Sequence, residues 1–261
     1  MRFAGKTIVV TGSGKQHGLG QAILQRFADE GAHCVVSDRE IDAEAESVAA
    51  GLGNDTATFA CDVSDPAQCT ALVAQSVARF GSLDVFVNNA GIGFMMTPLL
   101  DVTPADWERV VGVNLSGAFY GTQSAARAMI AGGRGGRIIN IASQAAKTGF
   151  PHMASYVSSK HGMIGLTRTA AIELGSHGIT VNAVCPNHVT TSLGAQQNAY
   201  FSKLLGFASV EAYLASMAAK NPMGRPGLAS DTASTCAWLA SDDAAYSTGE
   251  AINVSGGEEM H

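Results

Sequence analysis

The sequence predicts a three-layer α/β/α fold on a doubly wound parallel sheet, and three observations predict it. Short β-rich runs alternate with helix-length segments along the whole chain. Most of those runs are apolar almost without interruption, the pattern of strands covered by helices on both faces. The first run leads through a glycine-rich loop directly into the first helix, and such alternation implies parallel crossovers. With 261 residues, 46% of them hydrophobic, the chain reads as one domain over 1–261, since α/β folds reach this size undivided.

In chain order, the strand-like runs are "TIVVT" (7–11), "HCVVSD" (33–38), "ATFACD" (57–62), "LDVFVNN" (83–89), "GRIINIAS" (136–143), "ITVNAVCP" (179–186) and "EAINVS" (250–255). Helical patterns between them include Gln21–Glu30, Pro66–Phe80, Thr103–Met129 and His152–Gly175. "SDPAQ" and "DVTPADW" carry helix-start signals, a polar cap followed by proline. Residues 187–227, between "ITVNAVCP" and "LASDTASTCAWLAS", break the rhythm with a helical pattern of their own. A connection that long in a compact domain is more often a functional lid than a passive loop.

Composition excludes several function classes. A net charge of −6 with no basic run argues against nucleic acid as a partner. The five cysteines are scattered, without C-x-x-C spacing, so neither a zinc site nor a disulfide framework is expected. The seven histidines form no metal-ligand cluster, and no metal is expected. "MRFAGKTIVV" enters a strand almost at once, with no long apolar targeting core. No apolar stretch approaches the roughly 20 residues needed to span a bilayer. These features predict a soluble cytoplasmic protein with no membrane partner.

"TGSGKQHGLG" (11–20) lies where a pyrophosphate can rest against a helix N-terminus. A nucleotide-triphosphatase loop, G-x-x-x-x-G-K-[ST], fails on spacing, because Val9 and Gln16 stand where glycine and a hydroxyl are required. Asp38, at the end of the second strand, lies close to the ~20 residues beyond the loop expected for a carboxylate that binds an adenosine ribose. Its charge would repel the 2′-phosphate of NADP, so NAD is the expected cofactor, although Lys15 and Arg39 could each pair with such a phosphate.

Three more stretches converge with these: "NNAG" (88–91), Asn114 in "VGVNLSG", and Ser143 with "YVSSK" (156–160). Together the five motifs resemble the short-chain dehydrogenase/reductase family over essentially the whole chain, in its order and spacing. The resemblance implies a Rossmann-type domain with Ser143, Tyr156, Lys160 and Asn114 as catalytic residues. It implies cofactor contacts from Gly12, Gly14, His17, Gly18, Leu19 and Gly20 in the first loop, and from Asn89, Ala90 and Gly91 in the second. Asp62 and Val63 match the pair lining the adenine site. Pro186, Val189 and Thr191 in "CPNHVTT" match the segment touching the nicotinamide end, and Tyr156 and Lys160 also contact the cofactor. Two departures stand out. The first loop holds two residues more than the family's T-G-x-x-x-G-x-G, so Lys15, Gln16 and His17 would bulge over the pyrophosphate. Asn187 replaces the usual glycine, and asparagine tolerates a positive φ.

The residue types fit that chemistry. Tyr156 and Lys160, four apart on a helix, share a face. An ammonium and an oxidised nicotinamide nearby would favour the phenolate. Lowering a tyrosine from ~10 to about 7 takes roughly 4 kcal/mol. Tyr156 is then the proton-exchanging group, and Ser143 holds the substrate oxygen. Asn114, unfavourable in a helix, would disturb local hydrogen bonding and hold a water relaying protons to Lys160. Each residue alone reads as ordinary packing or surface; the set at these spacings does not. The close Tyr–Lys spacing argues against the family's enoyl-reducing branch.

The expected reaction is hydride transfer between a secondary alcohol and nicotinamide. Candidate substrate contacts are Ser143, Gln144, His152, Tyr156, Asn187 and His188. With Lys147 they set polar groups against an apolar wall of Phe94, Met95, Met96 and Phe150, which favours a sugar or polyol. The rivals are an NADP-dependent 3-oxoacyl or cyclic ketone reductase, and a non-catalytic dinucleotide-binding regulator. The resemblance also implies a homotetramer, with "SGGEEMH" reaching across an interface.

Overall fold

The computed structural model describes every residue except Asn54, Phe94, Met95, His188, Thr190, Thr191 and His261; at 192, 193, 195 and 196 it describes the backbone alone. The elements run β1 (Thr7–Thr11), α1 (Leu19–Ala28), β2 (His33–Asp38), α2 (Ala43–Gly51), β3 (Thr56–Ala60), α3 (Pro66–Phe80) and β4 (Val85–Asn88). They continue with α4 (Pro104–Val111), a π-helical turn (Gly112–Ser116), α5 (Gly117–Gly132), β5 (Gly136–Ile141), α6 (Ala154–Leu174) and β6 (Ile179–Pro186). The chain then forms α7 (Ser192–Leu204), α8 (Val210–Lys220), α9 (Ala229–Ala240) and β7 (Ala251–Val254).

The strands form one sheet in the order β3-β2-β1-β4-β5-β6-β7. Every pairing is parallel, as in Val9 opposite Val35 and Phe86. Strand alternation divides the core between the two faces. Ile8 and Val10 join Cys34 and Val36 against α1, α2 and α9. Val9 and Val35 join Phe86 and Ile138 against α3, α5 and α6. The order reverses at β1 and β4, which places the crevice of a doubly wound sheet at their C-terminal ends.

Two parts of the chain differ from the sequence reading. The segment Thr103–Met129 is helical as read, but it is not a regular α-helix. The π-turn joins α4 directly to α5 within it, and Asn114 in that turn is fully buried. The helix α2 was not anticipated: Asp42 caps it by accepting from Ala45 N, but its alanine-rich body gives little apolar period. In 187–227 lie α7 and α8, and Val189 bridges Gly227 at the base of that segment.

Candidate active site

A cleft of about 830 Å³ opens at the C-terminal ends of the strands. One wall is the loop after β1. Gly12 has φ 64, and a Cβ there would lie 2.7 Å from Ala90 Cα, so the loop closes tightly on the segment after β4. Thr11 Oγ1 accepts from the amides of Asn89 and Ala90, both at 3.1 Å. Asn89 Nδ2 donates to the carbonyls of Thr11 and Gly12 at 2.8 and 2.9 Å. Behind this wall, α1 begins with Gly18 as N-cap, no side-chain cap and no acid in its first turn. By contrast, α2, α3, α4 and α8 carry the side-chain caps Asp42, Asp65, Thr103 and Ser209. The first turn of α1 therefore keeps donors and a positive dipole end for an anion, and Gly18 and Leu19 face the cleft.

The Asp38 carboxylate lines the far end, accepting from Gly14 N at 3.1 Å and Arg39 N at 2.9 Å. The two extra loop residues do not lie loose over the cleft. Lys15 Nζ pairs with Asp42 at 2.7 Å and Glu44 at 3.2 Å. Gln16 N donates to Glu44, and Gln16 Nε2 to Ser47. The bulge is tied to α2.

At the other end, Ser143 follows β5, and its Oγ accepts from Ala145 N at 3.1 Å. Tyr156 and Lys160 come from the first turns of α6, with Lys160 Nζ 5.7 Å from the Tyr156 ring centroid. Lys160 Nζ donates to Ile141 O at 2.7 Å, and burial brings its pKa down to about 8. Burial pushes the Tyr156 hydroxyl above its ordinary value, opposed by a hydrogen bond with Ser143. The phenolate loses more by desolvation than Ser143 returns to it, while the ammonium is engaged with Ile141 O.

Asn114 sits beneath these groups. Its Oδ1 accepts from Ile92 N at 2.8 Å, and its Nδ2 donates to Ile92 O at 2.9 Å and Ser159 Oγ at 3.1 Å. A Cβ on Gly91 would lie 3.4 Å from Asn114 Oδ1 and 3.7 Å from Lys160 Nζ, so the loop after β4 runs between the two. A Cβ on Gly93 would lie 3.2 Å from Tyr156 Cε2 and 3.3 Å from Gln197 Nε2, which brings α7 over the same ring.

Comparison with known proteins identifies the family. Residues 12–259 match the family model described as Enoyl-(Acyl carrier protein) reductase. The sorbitol dehydrogenase of Cereibacter sphaeroides is 37% identical over 260 residues, covering 100% of both chains. A 2,5-dichloro-2,5-cyclohexadiene-1,4-diol dehydrogenase of Sphingobium indicum is 38% identical, covering 98% of this chain and 97% of its own. The solved structure of NAD+-bound xylitol dehydrogenase superposes with a TM-score of 0.92 at 31% identity, over 98% of this chain and 100% of that one. The chain belongs to the short-chain dehydrogenase/reductase family. It is accordingly an NAD(P)-dependent oxidoreductase acting on CH–OH groups.

In this short-chain dehydrogenase/reductase, the cleft gathers Gly12, Gly18, Leu19 and Asp38 at one end. Asp62, Val63, Asn89, Ala90 and Gly91 form its middle. Ser143, Gln144, Tyr156, Lys160, Pro186, Asn187 and Val189 form its other end. Five candidates do not line it. Gly14 orients Asp38, and Gly20 is a packing glycine whose Cβ would lie 2.6 Å from Gly12 O. His17 takes φ 57 with its amide donating to Gln21. Asn114 bonds Ile92 and Ser159. His152, at φ 61, bonds Tyr200 of α7 through Nδ1 at 2.7 Å, so it fastens α7 instead of facing the cleft.

Lys147 likewise donates to Ala251 O, and Phe150 does line the cleft. Asn187 does not take a positive φ; its side chain reaches Glu258. His188, Thr191, Phe94 and Met95 lie outside the described residues. Sequence reasoning missed Gln197 and Glu258, which line the cleft from distant parts of the chain. In the tail, Glu259 accepts from Gln144 Nε2 and Thr148 Oγ1 of its own chain. Among the described residues no helix is long and apolar enough to cross a membrane.

Proposed function

We propose that this enzyme oxidises a secondary alcohol of a sugar or polyol with NAD, or runs the reverse reduction. The observation that carries the reading is the pairing of Asp38 at one end of the cleft with Ser143, Tyr156 and Lys160 at the other. The uncapped start of α1 and the tight glycine wall fit a dinucleotide pyrophosphate between them. When bound, the nicotinamide supplies the hydride acceptor or donor.

The chain's own residues do the rest. Asp38 accepts from the adenosine ribose and disfavours a 2′-phosphate, while Lys15 is neutralised by Asp42 and Glu44. Ser143 holds the substrate oxygen, and Tyr156 takes its proton in oxidation and returns it in reduction. Lys160 anchors the Tyr156 end of α6 to β5 through Ile141 O. Residues 1–261 form a single catalytic domain, within which about 187–227 act as a lid. Gln144 and Asn187 line the same end of the cleft with their amide nitrogens held by Glu259 and Glu258, and this polar lining suits a hydroxylated substrate. The relatives named for sorbitol, a cyclohexadiene diol and xylitol support a substrate with several hydroxyls.

A second reading, a cyclic alcohol or ketone, is favoured by the apolar lid side chains Phe201, Leu205, Leu214 and Met217 in the same cleft. One assay separates them. Purified enzyme is supplied with NAD or NADP and with sorbitol, galactitol, xylitol or cyclohexanol, and reduced nicotinamide is followed by absorbance. The proposal expects faster turnover of a polyol and with NAD; faster cyclohexanol turnover sinks the polyol assignment, and no turnover of any alcohol or corresponding ketone returns the regulator reading. The homotetramer belongs to the same proposal, supported by Phe119, Ile130 and Ile172, exposed apolar residues on α5 and α6. Light scattering that finds a monomer at micromolar concentration contradicts it.

A further inference from the structure

Helices α7 and α8 turn apolar side chains to the cleft, Phe201 from the first and Leu214 and Met217 from the second. Among the polar side chains that interrupt this face, Gln197 and Tyr213 are set apart by where they lie. Gln197 reaches the reacting groups. A Cβ on Gly93 would lie 3.2 Å from Tyr156 Cε2 and 3.3 Å from Gln197 Nε2, so the amide and the edge of the proton-exchanging ring flank one point that glycine leaves open. Helix α7 is held in that place, because its Tyr200 hydroxyl bonds His152 Nδ1 at 2.7 Å one turn further on.

Tyr213 is only 4% exposed, yet it lines the same cleft. Ser209 fixes the start of its helix by accepting from Ala212 N at 3.1 Å, and Phe207 meets the Tyr213 ring edge-on with centroids 5.4 Å apart. Packing thus fixes the ring, and the hydroxyl is its one polar atom. Burial, and after it the charge of Glu258, raise that hydroxyl above the ordinary tyrosine value, so it keeps its proton and can donate. Among the described residues, neither the Tyr213 hydroxyl nor the Gln197 amide has a hydrogen-bond partner. A polar group closed off from water without a partner is unfavourable, so both positions suit a bound molecule that supplies one. An amide and a hydroxyl each donate and accept, which matches alcohol groups and leaves a bare hydrocarbon unrewarded.

We infer that Gln197 and Tyr213 are specificity-determining residues: they hydrogen-bond substrate hydroxyls other than the one being oxidised, while the apolar face around them covers the carbon skeleton. This rests on the polyol reading above and names the groups of α7 and α8 that recognise the additional hydroxyls.

The test measures kcat and KM with NAD for sorbitol, xylitol and cyclohexanol, and the NAD dissociation constant by fluorescence titration, in wild type, Tyr213→Phe, Gln197→Met and the double variant. Phenylalanine and methionine keep the volume and remove the polar group, so the thermal midpoints should be no lower than that of wild type. Gln197→Ala serves if the methionine variant does not fold. Each single substitution should lower the ratio of polyol kcat/KM to cyclohexanol kcat/KM by roughly 2- to 10-fold, the range for one neutral hydrogen bond. The loss should fall mainly on polyol KM, and the double variant should lose more than either single one. If wild type turns over polyols and the ratio is unchanged in the variants, the inference is overturned and the polyol reading stands. Weaker NAD binding without a change in the ratio assigns the two groups to the coenzyme and overturns it as well. A Tyr213→Phe midpoint well below wild type shows that the hydroxyl serves the fold and overturns the assignment of Tyr213. If wild type turns over cyclohexanol faster than every polyol, the polyol reading and the inference both fall.

Discussion

Replacing Asn114 by alanine tests whether the π-turn is a structural keystone beneath the reacting groups. The side chain is fully buried and makes three hydrogen bonds, to Ile92 N, Ile92 O and Ser159 Oγ. Ser159 retains a partner after truncation, because its hydroxyl also donates to Tyr156 O at 2.7 Å. The two backbone groups of Ile92 lose theirs. At roughly 1–3 kcal/mol for each unsatisfied group, and toward the lower end because Ile92 is only half-buried, the loss is about 2–4 kcal/mol. For a chain of this size about 2–4 °C of melting temperature accompanies each kcal/mol. The midpoint by calorimetry without added cofactor should therefore drop by roughly 4–16 °C. Turnover should fall at least ~10-fold, since the loop at Ile92 and the helix carrying Tyr156 and Lys160 lose their common tie. Asn114→Asp keeps the acceptor for Ile92 N but turns an anionic oxygen toward Ile92 O. It should be no more stable than the alanine variant at neutral pH and recover partly as acid protonates it. An alanine variant that melts within a degree or two of wild type at unchanged kcat refutes the reasoning.

Tyr156→Phe should retain NAD binding by fluorescence titration and lose nearly all turnover; a near-normal rate would end the proton-transfer role. Asp38→Ala should narrow the NAD-over-NADP ratio of kcat/KM, and adding Asp42→Asn with Glu44→Gln should narrow it further by releasing Lys15; a wild type already indifferent to the 2′-phosphate contradicts both. Lys160 yields a pH prediction. Its folded pKa of about 8 lies below the ordinary 10.5, so between those values the unfolded chain binds more protons and stability rises with pH. Urea midpoints should show the wild-type-minus-Lys160→Met difference growing from pH 8 to 10, and a flat or falling difference contradicts the buried lysine.

The sheet was legible because its strands are buried on both faces and read as unbroken apolar runs; 7–11, 33–38 and 179–186 match β1, β2 and β6 in full. Helix α3 was equally plain, since Asp65 and Pro66 mark its start and Gly81, at φ 83, its end. The π-turn was not legible, because one residue inserted into a helix barely disturbs a 3.6-residue period. The catalytic candidates could be named from local spacing, but the burial that opposes ionisation of Tyr156 could not, as it depends on how completely the folded site excludes water. Glu258 escaped for a different reason. It meets Asn187 across 71 positions of sequence, from a glycine-rich tail with no period to read.

The tether between the glycine loop and α2 has a consequence for engineering coenzyme preference. Lys15, Gln16 and Gly14 touch Asp42, Glu44, Ser47 and Ala45, so the loop and the helix fit each other as lock and bolt. Grafting only the residues at the end of β2 from an NADP enzyme would leave a cationic loop still latched to acids chosen for another purpose. The transplantable cassette is the whole stretch 12–51, and chimaeras with a junction inside it should lose coenzyme affinity of either kind before they gain a new preference.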